Sequence, residues 1–245
     1  MSEPASLNHE AAGGDHLTVR DLSAWYGQSH VLHEVSFDVR RGEVITLLGR
    51  NGAGKTTILK SLIGMLQTRT GSIRVDGVET VGKPMRKIAR MGIGYVPEDR
   101  GIYATLSVEE NLLLPPRLND GGYSVEKVLE MFPNLAERRR SQGTKLSGGE
   151  QQMLAIGRIL RTGAKLLLLD EPTEGLAPVI VQQIGRAITE MRNSGFTVVL
   201  VEQNFHFASK LADRHYVVEQ GKVVDQLEAS ELEANAERLN RYLGV

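Results

Sequence analysis

Nine consecutive residues constrain this chain more than any others: Gly49-Arg50-Asn51-Gly52-Ala53-Gly54-Lys55-Thr56-Thr57. They fit the phosphate-cradling pattern G-x-x-x-x-G-K-[ST], with Gly49, Gly54, Lys55 and Thr56 at the fixed positions. The flanks agree with it. Glu43 to Leu48 is a short run of β-formers that reads as a buried strand, and Thr57 to Ile63 reads as a helix. Glycines let the backbone approach phosphate oxygens, and a helix N-terminus offers free N–H groups and a partial positive charge. Lys55 can reach β- and γ-phosphates, and the Thr56 hydroxyl can hold Mg²⁺. The nucleotide contacts expected here are Gly49, Asn51, Gly52, Ala53, Gly54, Lys55, Thr56 and Thr57, with ATP and Mg²⁺ as ligands.

Alternating strands and helices surround this loop, which implies an α/β fold with a mostly parallel sheet and helices on both faces. Leu17 to Leu22 and Val31 to Val39 read as strands, with Trp25-Tyr26-Gly27 between them. An aromatic there either stacks on a nucleobase or packs a turn. A hairpin is expected about Asp76-Gly77, a short helix over Pro84 to Arg90, and a strand over Gly92 to Val96. Ser107 and Ser124 open helices as N-caps. Residues 98–145 read as a small helical insert, with the run Glu137-Arg138-Arg139-Arg140 as a solvated face. Beyond Ser147 the expected order is helix to Arg161, strand to Asp170, helix to Ser194 and strand to Val201. Then follow a helix over Asn204 to Asp213, a hairpin about Gln220-Gly221 and a last helix over Ser230 to Tyr242. Residues 1 to about 15 read as a disordered lead-in that leaves His9 and His16 solvated.

Composition removes several functions. With no cysteine, disulfides, thiol chemistry and Cys-ligated zinc are excluded. A net charge of −1 and 5% aromatics give no footprint for nucleic acid. No apolar run approaches the ~18 residues of a membrane span, and the N-terminus lacks the pattern of a secretory signal.

Two further stretches carry chemistry. Leu166 to Leu169 is an apolar strand that ends in Asp170-Glu171. At the carboxyl end of a parallel strand, Asp170 would meet the Mg²⁺ shell beside Thr56, and Glu171 would polarise a water aimed at the γ-phosphate. Leu146-Ser147-Gly148-Gly149-Glu150-Gln151-Gln152 is a Ser-Gly-Gly helix start, a second anion site without a lysine.

With that serine one helix and one strand ahead of Asp170, the stretch resembles the signature of ATP-binding-cassette (ABC) ATPases. The order of parts also agrees from Leu17 onward: aromatic, phosphate loop, helical insert, signature, acidic strand and late switch segment. The chain is most similar to the ATPase subunits of branched-chain (hydrophobic) amino-acid importers. Tyr95 to Arg100, Val108 to Leu112, Leu146 to Arg158, Glu174 to Pro178 and Val201 to Asn204 carry that likeness.

The resemblance implies a P-loop NTPase core with an N-terminal antiparallel β part and the helical subdomain, over residues 16–245. It implies a head-to-tail dimer, of like or unlike chains, with each phosphate loop facing the partner's Ser147, Gly148 and Gly149. Tyr26 would stack on adenine beside Val31. Catalysis would rest on Glu171, Lys55 and Gln203, and Glu98 would join Thr56 and Asp170 at the metal. Glu98 to Leu106 and the insert would dock integral membrane permease subunits, and a substrate-binding protein would act through them. The ATPase would then sit in the cytoplasm, peripheral on the inner face of the plasma membrane.

Three positions depart from the general cassette pattern. Glu98 stands for a glutamine, Gln203 for a histidine and Ala177 for an aspartate, all in the manner of this importer subgroup. Gln203 can donate an N–H to a phosphate but cannot shuttle a proton. His206, nearby, reads as packed or solvent-facing. The transported substrate never touches such a chain, so urea or short amides stand beside amino acids. A non-transport role such as iron–sulfur assembly, and a nucleotide-binding scaffold without turnover, are the readings from other classes.

Overall fold

The strands of this computed structural model, which describes residues 14–232 and 234–243, form two sheets. In chain order the elements begin β1 Asp15–Tyr26, β2 Ser29–Arg40, β3 Val44–Leu48, α1 Lys55–Leu62, β4 Arg69–Val75, β5 Val78–Glu79, α2 Met85–Ala89 and β6 Ile93–Val96. The helical stretch follows as α3 Val108–Leu113, α4 Val125–Met131 and α5 Pro133–Glu137, then a 3₁₀ turn at Gly143–Lys145 and α6 Gly148–Leu160. The remainder is β7 Leu166–Asp170, α7 Pro178–Asn193, β8 Thr197–Glu202, α8 Phe205–Ala208, β9 Arg214–Glu219, β10 Lys222–Glu228 and α9 Ala236–Leu243. A second 3₁₀ turn, Ala229–Glu231, precedes α9.

One sheet is antiparallel, in the order β2-β1-β4-β5; the other is β10-β9-β3-β8-β7-β6, parallel except for the edge strand β10. β3, β7 and β8 are buried along their whole length and mostly apolar, because both their faces are covered. Their residues alternate between two cores. Leu166, Leu168, Val199 and Val201 pack with β1, β2 and α1, whereas Leu167, Leu169, Val198 and Leu200 pack with α6, α7 and the helical insert. The insert therefore has no core of its own. Val108, Leu112, Val128 and Phe132 join Leu154 and Ile188 in one cluster.

The two sheets are also tied by charge. Buried Arg214 on β9 donates to Glu43 and to Asp38 of β2, at 2.8 and 3.0 Å. The predicted serine caps are present: Ser107 and Ser147 each form a reciprocal box with the glutamate three residues on, and Ser124 accepts from the Lys127 amide.

His16 is corrected. It lies in β1, 3% exposed, with Nδ1 2.7 Å from the Thr197 hydroxyl. Asp15, at the start of that strand, already pairs with Arg40 of β2. His9 lies outside the described residues. The charge run is a solvated face, with Glu137, Arg138 and Arg140 exposed, and two of its arginines also meet carboxylates. Arg139 pairs with Glu109, and Arg138 lies 3.8 Å from Glu150. The helix after Asn204 is one turn rather than the length of Asn204 to Asp213, and the last helix begins at Ala236 rather than Ser230.

Candidate nucleotide-hydrolysing site

Three adjacent parallel strands, β3, β8 and β7, bring the chemistry to one crevice at their carboxyl ends. Register aligns them: Leu48, just before the phosphate loop, pairs with Glu202, and Asp170 pairs with Val201. A cavity of about 460 Å³ lies there, lined by Asn51, Gly52, Gly54, Lys55, Thr56 and Thr57 together with Val31, Glu98, Glu171, Glu174 and Gln203.

The phosphate loop needs its glycines. Gly54 caps α1 at φ 108°, a left-handed backbone that side chains avoid, and a Cβ on Gly49 would stand 2.2 Å from the Val218 carbonyl. Lys55 is only 4% exposed; its Nζ donates to the Gly49 and Arg50 carbonyls at 2.8 and 3.1 Å and lies 3.5 Å from Glu171. A lysine so placed is stored against its own loop at the wall of the crevice.

The carboxylates sit in different surroundings. Asp170 is fully buried and accepts from the Thr56 hydroxyl at 3.0 Å and from Tyr95 at 2.9 Å. Burial raises its carboxyl above the ordinary range, and those two donors act against the rise. Burial first, then the Asp170 charge, also pushes the Tyr95 phenol up, so it remains a donor. Glu171 is 9% exposed and held at φ 46°, a strained conformation for a glutamate; it takes the Gln203 side-chain amide on one oxygen and faces Lys55 with the other. Burial, then Glu171 and Glu98, raises the Glu174 carboxyl.

A magnesium ion fits this donor set. The Thr56 hydroxyl and the Asp170 carboxylate, two hard oxygen donors 3.0 Å apart, leave most of a six-fold shell to phosphate and water. Among the described residues no group of three or more His, Asp or Glu side chains gathers to hold a metal by itself, here or elsewhere.

Of the expected contacts, Val31, Asn51, Gly52, Gly54, Lys55, Thr56, Thr57, Glu98, Glu171 and Gln203 line one cavity, whereas Gly49, Ala53 and Asp170 do not, although Asp170 is bonded to Thr56 of that lining. Ser147, Gly148 and Gly149 do not line it; they open α6, with Ser147 exposed. Tyr26 is also outside the lining, 46% exposed at the end of β1. Its neighbour Trp25 stacks on His30, ring centroids 4.3 Å apart, so of the two aromatics Tyr26 is the one left open. Reading the sequence missed Tyr95, Thr173, Glu174 and Glu202. Tyr95 and Glu202 stand in quoted motifs, but only the sheet register reveals their partners.

The chain matches the ABC transporter family over residues 32–174. It belongs to that family. A Pseudomonas aeruginosa relative, "High-affinity branched-chain amino acid transport ATP-binding protein BraG", is 49% identical over 93% of this chain and 99% of its own length. An Archaeoglobus fulgidus relative, "Probable branched-chain amino acid transport ATP-binding protein LivF", is 36% identical over 86% of this chain and 91% of its own. Among solved structures, a dimeric post-hydrolysis ATP-binding cassette bound to ADP and Pi superposes with a TM-score of 0.78 at 23% identity. It covers 87% of this chain and 98% of that one, a likeness of fold. This ABC protein is an ATPase that binds nucleotide. Among the described residues, no helix is long and apolar enough to cross a membrane.

Proposed function

We propose that this ABC ATPase drives uptake of branched-chain or other hydrophobic amino acids through separate integral membrane subunits fed by a substrate-binding protein. The observation that carries the substrate class is the 49% identity, nearly end to end, with a relative named for branched-chain amino acid transport. Two chains, like or unlike, pair head to tail around two nucleotides, as supported by the dimeric cassette of the same fold. The ATPase sits at the cytoplasmic face of the plasma membrane. Exposed apolar side chains suit a docking role there: Tyr103 within the Glu98 to Leu106 loop, and Leu113 and Leu114 in the insert. A separate apolar groove of about 270 Å³ is lined by Met65, Met85, Ile88, Tyr95 and Leu118.

Each side chain has a part in hydrolysis. Lys55 leaves the Gly49 and Arg50 carbonyls and carries its charge to the γ-phosphate. Thr56, Asp170 and Glu98 would hold Mg²⁺, which when bound would neutralise charge developing on the phosphates. Glu171 accepts a proton from the attacking water. Gln203 orients Glu171 and donates an N–H toward the γ-phosphate. Tyr26 and Val31 take the adenine. Ser147, Gly148 and Gly149 complete the partner's site with the α6 N-terminus.

Uptake of labelled leucine tests the reading in cells whose own gene is deleted. The wild-type gene is expected to restore uptake. Lys55→Ala is expected to lose turnover by ~10²–10³, and with it uptake. Restored urea uptake without leucine uptake would reassign the substrate.

A further inference from the structure

Glu202 is a buried carboxylate that none of the steps above uses. It is 2% exposed, at the last position of β8, directly before Gln203. Its Oε1 accepts twice from Thr173, from the backbone N–H at 3.2 Å and from the hydroxyl at 2.8 Å. Thr173 in turn stands two residues after Glu171 in the loop that leaves β7. The Gln203 amide donates to Glu171. Two side-chain pairs, Glu202 with Thr173 and Gln203 with Glu171, thus join two loops that share no other side-chain bond among those described.

A carboxylate is an expensive way to finish a buried strand. Desolvation disfavours its charged form, and an apolar side chain of similar volume would pack there without that cost. What the carboxylate adds is a pair of hydrogen bonds that fix one loop against the other. The strained backbone at Glu171 makes such a fastening necessary, because a residue at φ 46° stays there only when its surroundings hold it.

We propose that Glu202 is a positioning residue for ATP hydrolysis: through Thr173 it fastens the switch segment to the Glu171 loop and so holds Gln203 on the Glu171 carboxylate. It touches neither nucleotide nor metal. The inference rests on the roles given above to Glu171 and Gln203. Its loss leaves Lys55, Thr56 and Asp170 in place, so ATP binding survives while the water-activating carboxylate loses its orientation.

The test is steady-state hydrolysis with Mg-ATP, alongside nucleotide affinity, for Glu202→Leu, Thr173→Val, Thr173→Ser, Gln203→Ala and the double variant Glu202→Leu/Gln203→Ala. Misplaced catalytic groups lose roughly ten- to hundredfold. That loss is expected in kcat for Glu202→Leu, Thr173→Val and Gln203→Ala, with KM and affinity held within about twofold for Glu202→Leu and Thr173→Val, which keep every nucleotide contact. Thr173→Ser, which keeps the hydroxyl, is expected to recover most of what Thr173→Val loses. Because Glu202 acts through Gln203, the double variant is expected to fall no lower than Gln203→Ala alone. A multiplicative loss in the double variant, an unaltered kcat in folded Glu202→Leu, or an unaltered kcat in Gln203→Ala overturns the proposal. If Glu202→Leu does not fold, the Thr173→Val and Thr173→Ser pair decides it: equal kcat in the two overturns it. Glu171→Gln runs as the control. Wild-type hydrolysis in that variant removes the base assignment itself, whereas an inert Glu171→Gln with unaffected Glu202 and Thr173 variants removes only the fastening.

Discussion

Glu202 and His215 are both buried, and they pull the pH dependence of stability in opposite directions. Burial pushes Glu202 up to about 7 from an ordinary 4.5, with Thr173 and the Asn204 amide opposing the rise. Between those values the folded protein holds a proton that the unfolded chain has released. That contribution is complete below 4.5 and is lost as pH rises through 7. Burial lowers His215 from 6.5 to about 4, so its contribution is complete above 6.5 and is lost as pH falls through 4. Glu202→Gln removes only the first. Relative to wild type, the variant is expected to gain stability as pH rises across the Glu202 window, by up to about 3 kcal/mol, from ~1.4 kcal/mol per pKa unit. Urea unfolding of both proteins at about pH 5 and about pH 8 reads that difference directly. Tyr26 makes a second prediction at this scale. With Trp25 engaged by His30, the exposed ring is free to stack. Tyr26→Ala is expected to weaken ATP binding by roughly 1–3 kcal/mol and Tyr26→Phe to leave most of it intact, since the ring face carries the stacking. Titration calorimetry checks it, and equal affinities for Ala and Tyr would return Tyr26 to packing a turn.

At the scale of elements, β6 places Tyr95 over Asp170, and it does so by lying close on α6. A Cβ on Gly94 would stand 2.1 Å from Ile159 of α6 and 3.1 Å from Ala164. Gly94→Ala therefore forces two elements apart and is expected to cost about 1–3 kcal/mol, the usual range for overpacking, read as a lowered thermal midpoint. Much of this architecture was legible in advance. Continuous apolar runs such as Leu166 to Leu169 announce strands covered on both faces, and the Ser107 and Ser147 boxes announce helix starts. Where the reading fell short, a local break had hidden the pattern. β1 runs on to Tyr26 rather than ending at Leu22 because Asp21, at φ 50°, bulges the strand and shifts its register, which destroys the alternation that sequence reading follows. α5 was missed because Pro133 starts a helix only five residues long, too short for periodicity to appear. In the site, Lys55, Thr56, Asp170 and Glu171 were legible from motif and strand context alone. The bonds Tyr95 to Asp170 and Glu202 to Thr173 were not, because sheet register rather than chain proximity sets them.

For the whole molecule, one feature governs how activity scales with composition: α6 opens with Ser147 exposed and outside the crevice of its own chain. Under the head-to-tail pairing proposed above, a lone chain carries two half-sites that cannot meet, and defects obey the arithmetic of mixtures. Take Lys55→Ala, which spoils the phosphate loop and keeps Ser147, and Ser147→Arg, which does the reverse. Each is expected to be inert by itself. Mixed in equal amounts, half of the randomly formed pairs are heterodimers, and each heterodimer assembles one intact site from the sound halves and one doubly spoiled site. If the two sites fire independently, the mixture is expected to regain about a quarter of wild-type phosphate release, as random pairing in a two-fold dimer requires. If they fire only together, it regains nothing. Two inactive preparations in one tube thus count how many intact sites a working stroke requires.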